Sequence, residues 1–261
     1  MYRTTEITSA EISSDNPVHQ RLLKPYIEAT KIVSKNLLEV GCGIGRGLDI
    51  LKTNCDQFTA IDKNKDLIEL LSQKYPSFYF IQQNIPPFDG LADNSFDFVV
   101  SFQVIEHIDD DELFLKEINR VLKPGGKALI TTPNTKFSLT RNPWHVREYT
   151  ADGLEKLMAK YFDKVECLGI GGNEKVMAYY EENKKAVEKI TRWDIFKLQY
   201  RLPRKLLQIP YDILNRFNRK NLHKQNNQLV NDIQHEDYLL SNKPDESLDL
   251  FFIGHKAITQ N

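Results

Sequence analysis

Four glycines fall within seven residues at the end of an apolar stretch, in the segment Leu37 to Gly47 (LLEVGCGIGRG). Glycine admits positive φ angles and lets a ligand approach the backbone closely, and a helix that follows offers free N–H groups. The dinucleotide fingerprint G-x-G-x-x-G would need glycine or alanine at position 46, where Arg46 stands. The phosphate loop G-x-x-x-x-G-K-[ST] is also absent. The loop therefore predicts a different small-ligand site, with an unliganded tight turn as the alternative.

An acidic side chain, Asp62, ends the next apolar stretch, seventeen residues after Gly45. In nucleotide-binding α/β folds a carboxylate at this place accepts hydrogen bonds from the hydroxyls of a ribose. Taken alone, Asp62 could equally be the N-cap of the following helix. Together with the glycine loop, the ribose interpretation is favoured.

A strongly basic stretch lies far along the chain, from Lys184 to Lys224. It holds twelve basic and three acidic residues, so it carries a net charge of +9 in a chain whose net charge is −1. Apolar residues alternate with the bases, and Pro203 and Pro210 predict a division into short helices. Three interpretations stay open: a helical lid whose apolar side covers the ligand cleft and whose charges are solvated, an amphipathic surface that meets anionic lipid, and a track for phosphates, including those of nucleic acid.

Alternating strands and helices must position these groups. Short apolar runs predict five strands, at 36–43, 58–62, 77–83, 96–102 and 127–132, with helical spacing between them. A helix near 150–160, a strand near 162–170 and a last strand within 247–258 continue the pattern. Apolar strands joined by helices are typical of an open, mostly parallel sheet that is covered on both faces.

Residues 172–246 interrupt this pattern, because they hold no convincing strand and predict helices and loops carrying Trp193, Phe196, Tyr200, Tyr211 and Phe217. We therefore predict a single domain over 1–261. It would comprise a ligand-binding core at 30–171, a helical basic cap at 172–246 and a final strand at 247–258.

The overall composition supports such a globular domain, since 261 residues at 41% hydrophobic can bury a sizeable core. Three widely spaced cysteines argue against a disulfide framework. The first twenty residues contain no apolar segment of a signal peptide. A cytoplasmic protein is expected.

The sequence resembles the class I S-adenosylmethionine-dependent methyltransferases in LLEVGCGIGRG (37–47), Asp62, FDFVVSFQVIEHI (96–108) and INRVLKPGGKALITTPN (118–134). This resemblance covers about residues 30–170 and the last strand. It implies a three-layer, Rossmann-like α/β fold with a seven-stranded sheet, an antiparallel last strand and a helical insertion between the last two strands. It also implies S-adenosyl-L-methionine as cofactor, released as S-adenosyl-L-homocysteine, in a cleft at the carboxyl ends of the strands.

Carried over position by position, the resemblance also implies the cofactor contacts. The glycines would pass under the methionine part, the acid would hold the ribose, and later residues would flank the adenine and line the floor. The residues so assigned are Glu39, Gly41, Gly43, Gly45, Asp62, Lys63, Asn84, Ile85, Phe102 and Gln103. Asn84 departs from the family, which commonly has Asp there, although its amide oxygen can still accept a hydrogen bond. Arg46 would either meet the cofactor carboxylate or be solvated.

Two histidines are candidates for a catalytic base. Methyl transfer from a sulfonium is an in-line displacement, and if the acceptor is a hydroxyl, a base contributes roughly 10²–10⁴-fold. His107 follows the fourth strand, where bracing a helix is its alternative role, and His145 lies in the loop 142–149. We predict His145 as the base and His107 as the second candidate, with Trp144, Arg147 and Tyr149 of the same loop as substrate contacts.

A metal site is the alternative to a simple base. The pattern Glu-x-x-Glu-His followed by a later His resembles the magnesium-dependent 2′-O-methyltransferases of small-RNA 3′ ends and the ubiquinone-pathway O-methyltransferases. Here Gln103 replaces the first Glu, while Glu106, His107 and His145 remain. Because hard cations prefer carboxylate oxygen, we predict no metal.

These observations predict a transferase that methylates oxygen on a small molecule or on a sugar or glycolipid acceptor, anionic or lipid-linked. The alternatives are metal-dependent 2′-O-methylation of an RNA 3′ end and a non-catalytic adaptor that binds an adenosyl ligand. Nucleic acid is not the expected partner. Peripheral contact with the inner face of a membrane, through 184–224, stays open.

Overall fold

The computed structural model describes Thr8, residues 11–192, Asp194 and residues 198–258. Its centre is one sheet with the strand order β3-β2-β1-β4-β5-β8-β6-β7. The strands are β1 (Asn36–Val40), β2 (Gln57–Asp62), β3 (Tyr79–Gln82), β4 (Phe96–Phe102), β5 (Leu122–Pro133), β6 (Lys164–Gly172), β7 (Tyr238–Ser241) and β8 (Asp249–His255).

The first five strands pair in parallel, as their apolar runs predict. The last strand, β8, lies between β5 and β6 and is antiparallel to both, so that part of the predicted fold is confirmed. The sheet has eight strands rather than the predicted seven.

The additional strand, β7, lies inside the segment that we predicted to be free of strands. It extends the edge of the sheet by antiparallel pairing with β6, from Gly169↔Ser241 to Gly172↔Tyr238. Its four residues show no alternation, because only Tyr238 is buried and both leucines after it are exposed. A strand this short and unpatterned is stabilised by the edge that it joins, which is why periodicity missed it.

Helices cover both faces of the sheet. They are α1 (Asn16–Ala29), α2 (Leu48–Leu51), α3 (Lys65–Lys74), α4 (Asp111–Val121), α5 (Ala151–Met158), α6 (Glu174–Thr191), α7 (Leu198–Arg201), α8 (Arg204–Gln225) and α9 (Asn227–Asp232). Alternate strand residues face the two layers: Leu37 packs in one hydrophobic cluster and Leu38 in the other. Buried residues of α1, α2, α3, α6 and α8 join the first cluster, whereas those of α4 and α5 join the second.

The basic segment differs from its prediction in one helix. We expected Pro203 and Pro210 to divide it into short helices, but α8 runs for 22 residues from Arg204 and contains Pro210. Proline there removes one hydrogen bond to the carbonyl of Leu206. Both residues are exposed, so water can take the place of that bond. Trp193, Phe196 and Lys197 of this segment lie outside the described residues.

The N-terminal helix and the basic segment are tied together. Asp15, fully buried at the start of α1, accepts hydrogen bonds from Arg216 Nη1 at 2.8 and 2.9 Å and from Arg219 Nη1 at 3.2 Å. Tyr238 of β7 donates to the carbonyl of Pro17 at 2.7 Å. Among the described helices, none is long and apolar enough to cross a bilayer.

Candidate active site

A cavity of about 1410 Å³ opens at the carboxyl ends of the parallel strands. Small-molecule sites commonly measure about 300–1,000 Å³, so this one has room for more than one ligand. It is lined by the glycine loop and the ends of β2 and β4, which we call the near end, by the loop 139–145, and by α6, α7 and α8, which we call the far end. A cleft at this edge of the sheet is where open α/β folds bind ligands.

The glycine loop has the backbone that its composition predicts. Gly41, Gly43 and Gly45 have φ angles of +82°, +52° and +76°. A Cβ added at Gly41 would lie 2.4 Å from Val104 Cγ2, whereas one added at Gly43 would meet nothing within 4 Å. Gly41 and Gly43 line the cavity and Gly45 does not. Gly43 therefore leaves a space beside the backbone that a ligand can fill.

Asp62 ends β2 directly beside this loop. One carboxylate oxygen accepts from the backbone N–H of Gly43 at 2.8 Å, and the other accepts from that of Asn64 at 2.8 Å. The N-cap of α3 is Asn64, whose side chain accepts from Leu67 N. The helix-cap alternative for Asp62 is therefore wrong. Lys63, Asn84 and Ile85 line the same end of the cavity.

Glu39 lies buried beneath the loop, at the end of β1. Its Oε1 accepts from the hydroxyl of Tyr26 at 2.7 Å, and among the described residues its Oε2 has no hydrogen-bond partner. Burial raises the pKa of Glu39 to about 7, although the hydrogen bond from Tyr26 opposes the rise. Glu39 itself does not line the cavity, so a buried water is the simplest partner for this oxygen.

The floor of the cavity is built by Gln103 rather than by both predicted residues. Gln103 has a left-handed φ of +59°, lines the cavity and donates to Asp249 Oδ1 at 3.3 Å. Phe102 is buried instead, with its ring edge-on to Tyr26 at 4.9 Å, and does not line the cavity. Its assignment to the cofactor is corrected to core packing, because the strand alternates sides at each residue.

Three titratable groups that line the cavity lie close together. Single ligand atoms of Glu106, His107 and His145 all lie within 4.8 Å of one another, and the two imidazole rings are edge to face at 5.0 Å. His107 Nδ1 lies 3.0 Å from the carbonyl of Trp144. Since a carbonyl only accepts, that nitrogen carries the proton. Burial raises the pKa of Glu106, which accepts from Thr132 Oγ1 at 3.0 Å.

His145 is held on both sides. Its Nδ1 lies 2.9 Å from Glu148 Oε1, and its Nε2 lies 2.8 Å from Asn142 Nδ2. Because the carboxylate only accepts, Nδ1 donates to it, and Nε2 then accepts from the amide in the neutral ring. A carboxylate that orients an imidazole in this way stabilises the protonated form.

The loop residues predicted to contact substrate divide into two groups. Trp144 lines the cavity, and its Nε1 donates to Asp212 Oδ1 of α8 at 3.4 Å. Arg147 and Tyr149 do not line it: both bind the Asp111 carboxylate, Arg147 by an ion pair at 2.5 Å and Tyr149 by a hydrogen bond at 2.7 Å. Their prediction as substrate contacts is corrected, because this anchor on α4 positions the loop instead.

Two further groups of residues line the cavity, and the first of them, from α1, was not predicted. From α1 come Pro17, Val18, Arg21 and Leu22. Arg21 forms a forked pair with the Asp249 carboxylate at 2.5 and 2.6 Å. Sequence spacing could not predict this ion pair, because Arg21 and Asp249 are 228 positions apart. The second group is aliphatic and comes from the cap, and it includes Val187, Ile190, Leu198, Leu202, Leu206 and Leu207.

Arg46 does not face the cavity. It contacts His19 Nδ1 at 2.7 Å and donates to Thr8 Oγ1 at 2.9 Å, which joins the glycine loop to the N-terminal segment. Burial and the adjacent guanidinium lower the pKa of His19 to about 4.

Known proteins share this core. Residues 38–130 match the family model described as a methyltransferase domain. A probable S-adenosylmethionine-dependent methyltransferase of Mycobacterium tuberculosis is 36% identical over 157 residues, 58% of this chain and 55% of the relative. The mitochondrial ubiquinone biosynthesis O-methyltransferase of Dictyostelium discoideum is 30% identical over 142 residues, 48% of this chain and 40% of the relative. The chain therefore matches only about half the length of these relatives.

The fold has solved counterparts. A SAM-dependent methyltransferase of Thermotoga maritima, described as a possible histamine N-methyltransferase, superposes with a TM-score of 0.57 over 92% of this chain and 91% of its own. Its sequence identity of 16% supports the fold alone. Residues 38–130 therefore match a methyltransferase domain, and the chain is similar in fold to a solved S-adenosylmethionine-dependent methyltransferase.

Proposed function

We propose that the chain transfers a methyl group from S-adenosylmethionine to a hydroxyl of a small acceptor that carries an apolar portion, such as a sugar on a lipid. One observation carries this proposal: a single cavity joins the glycine loop and Asp62 to the two histidines and continues to an aliphatic wall under α7 and α8. The bound cofactor supplies a methyl group on a sulfonium, which needs no further activation.

The residues at the near end would hold the cofactor. The Asp62 carboxylate would accept hydrogen bonds from the ribose hydroxyls, next to the backbone that Gly43 leaves open. Glu39, whose unpartnered buried oxygen does not line the cavity, would contact the methionine part through a water. Asn84, Ile85 and Lys63 would flank the rest of the cofactor.

The histidines would move the proton. With Nδ1–H donated to Glu148, His145 would accept the hydroxyl proton at Nε2, where the acceptor replaces the Asn142 amide. The resulting imidazolium is stabilised by the Glu148 carboxylate. His107 is the second candidate for this role. Trp144 and the aliphatic wall would exclude water from the reacting atoms.

Calorimetry tests the cofactor part of the proposal. We expect the wild-type chain to bind S-adenosylmethionine and S-adenosylhomocysteine, and Asp62→Ala combined with Gly43→Val to abolish binding. Lys156→Gln, on an exposed side chain of α5, is the matched control. Undetectable binding by the wild type, or unchanged binding by the double variant, would overturn the proposal.

Transfer of a labelled methyl group to fractionated cell extract tests the chemistry. His145→Ala should lower kcat by roughly 10²–10⁴-fold at unchanged cofactor affinity. His235→Ala, on a half-buried side chain that does not line the cavity, should leave kcat unchanged. Cofactor binding without turnover, indifferent to both cavity histidines, would instead favour a non-catalytic adaptor.

The three clustered ligands favour a second candidate, metal-dependent 2′-O-methylation of an RNA 3′ end. Two imidazoles and one carboxylate are donors that divalent transition metals accept, whereas Mg²⁺ would lack the carboxylate that Gln103 replaces. This candidate requires turnover on RNA that a chelator abolishes and Mn²⁺ or Mg²⁺ restores. Turnover that is insensitive to chelator excludes it.

A further inference from the structure

The outer face of α8 carries an apolar stripe that the chain itself does not cover. Leu206, Ile209, Ile213 and Phe217 are 64%, 72%, 64% and 58% exposed. Their spacing of three, four and four residues places them on one side of the helix. The opposite side is buried at Asn218, Arg219 and Leu222, where α8 packs on the body of the protein. The stripe therefore points away from the core.

Cations border this stripe. Lys220 and Lys224 continue it by one and two further turns, and Arg201 and Lys205 stand at its other end, all four exposed. Among the described residues, none of these four has a hydrogen-bond or ion-pair partner. Asp212 is the single acid between positions 198 and 225, and it accepts from the indole of Trp144. The outward charge of α7 and α8 is therefore positive.

The three arginines of α8 have a different role. Arg216 and Arg219 are engaged with buried Asp15, and Arg204 donates to the carbonyl of His145 at 3.1 Å. The cations of α7 and α8 are therefore divided into arginines that attach α8 to the protein and cations that face outward.

We propose that this outer face of α7 and α8 docks on an anionic lipid bilayer, with the stripe in the interface and the four cations at the lipid phosphates. The combination matches what interfacial helices need: an apolar face bordered by Lys and Arg, on a helix that is not apolar enough to span a bilayer. Anionic lipid complements the charge of both ends of the stripe. Docking is independent of the methyl-transfer chemistry.

The cavity opens at the same face. Leu198, Leu202 and Leu206 each line the cavity and are each exposed at the surface, so they form an apolar rim at its mouth. An acceptor whose apolar chain lies in the bilayer could enter across this rim without its chain passing through water. This route rests on the proposed function and names the acceptor class as lipid-linked.

Vesicle co-sedimentation of the whole chain, without cofactor or acceptor, tests the docking. Wild type should sediment with vesicles of phosphatidylcholine and phosphatidylglycerol, not with phosphatidylcholine alone, and should be released by salt. Ile209→Ser with Ile213→Ser should weaken binding more than about tenfold. Lys220→Gln with Lys224→Gln should weaken it roughly thirtyfold.

Matched variants on other exposed surfaces are the controls. Leu70→Ser with Tyr79→Ser removes two equally exposed apolar residues, and Lys65→Gln with Lys156→Gln removes two exposed lysines. All variants lie on exposed positions, and circular dichroism checks that each is folded. The control variants should bind vesicles like the wild type.

Three results would overturn the proposal: no sedimentation of the folded wild type, equal sedimentation with neutral lipid, or no difference between the α8 variants and their controls. If light scattering showed a dimer that Ile209→Ser with Ile213→Ser dissociates, the stripe would be a contact between two copies and docking on lipid would be wrong. Loss of S-adenosylmethionine binding would overturn the proposed function and leave the docking intact.

Discussion

The two ends of the cavity are built by different means. At the near end, the glycine loop and Asp62 lie within one strand-turn-helix unit and the strand beside it, where the backbone N–H of Gly43 donates to the Asp62 carboxylate. At the far end, α8 is held against the N-terminal helix by ion pairs between residues about two hundred positions apart, Asp15 with Arg216 and Arg219.

This difference indicates that the near end of the cavity is rigid and that the far end can change shape. The near end is determined by backbone conformation and allows little variation in its shape, which suits the cofactor site that we propose there. The far end is an aliphatic wall whose position depends on a few charges, and such a wall can be reshaped for a particular acceptor without disturbing the sheet. This division predicts which substitutions disturb which end.

The largest effect is expected at the anchor of the far end. Asp15→Ala would leave Arg219 and Arg216 without their buried counter-charge, so we expect the free energy of unfolding to fall by about 3–5 kcal/mol. Urea denaturation measures it, and limited proteolysis should show earlier cleavage in α7–α8. Asp152→Ala, which removes an exposed partner of Lys156, should change stability by less than about 1 kcal/mol. Equal effects of the two variants would contradict the anchor.

A smaller effect is expected beneath the glycine loop, and it depends on pH. Folding raises the pKa of Glu39 from 4.5 to about 7. Between these values the unfolded chain loses the proton while the folded chain keeps it, so the contribution of Glu39 to stability falls as pH rises, by roughly 3 kcal/mol in all.

Glu39→Gln isolates this contribution. The variant should gain stability relative to wild type as pH rises from about 4.5 to about 7, while the amide oxygen can still accept from Tyr26. Urea denaturation of both proteins across this range provides the comparison. A difference between them that does not change with pH would contradict the raised pKa.

The smallest effect is the difference in stability between alanine variants of two glycines in the same loop. Gly41→Ala forces an alanine into the left-handed conformation and brings its Cβ against Val104. We expect this to lower the free energy of unfolding by about 3 kcal/mol. Gly43→Ala adds only the left-handed strain, about 1 kcal/mol, because its Cβ meets open space. Calorimetry should give the reverse order for the cofactor, with Gly43→Ala weakening binding at least as much as Gly41→Ala. Equal stabilities would show that Val104 can move aside.

The core elements could be predicted because their signals are local. Apolar runs and the glycine loop predicted the first five strands, and the antiparallel last strand followed from the family resemblance. The additional strand β7 and the continuous helix α8 could not be predicted in this way. Four residues without alternation become a strand only beside β6, and Pro210 is tolerated only where the affected turn is exposed.

The residues of the site also fall into those that the sequence could predict and those that it could not. Gly41, Gly43, Asp62, His107, His145 and Trp144 are brought to one cavity, as their positions at strand ends suggested. Arg147 and Tyr149 share the loop of His145, yet both bind Asp111, because neighbouring loop residues point in different directions. The number of basic residues between 184 and 224 did not distinguish the arginines that attach α8 to the protein from the cations that face outward.

By itself, the sequence determined the class of fold and the edge of the sheet at which the cleft opens, since strand patterns and glycine conformation depend on residues close along the chain. Only the tertiary structure decided which side chains reach the cavity, that Arg21 and α1 close it, and that α8 exposes an apolar stripe. Those properties depend on contacts between distant segments, and a linear pattern does not encode which face of an element its partners will cover.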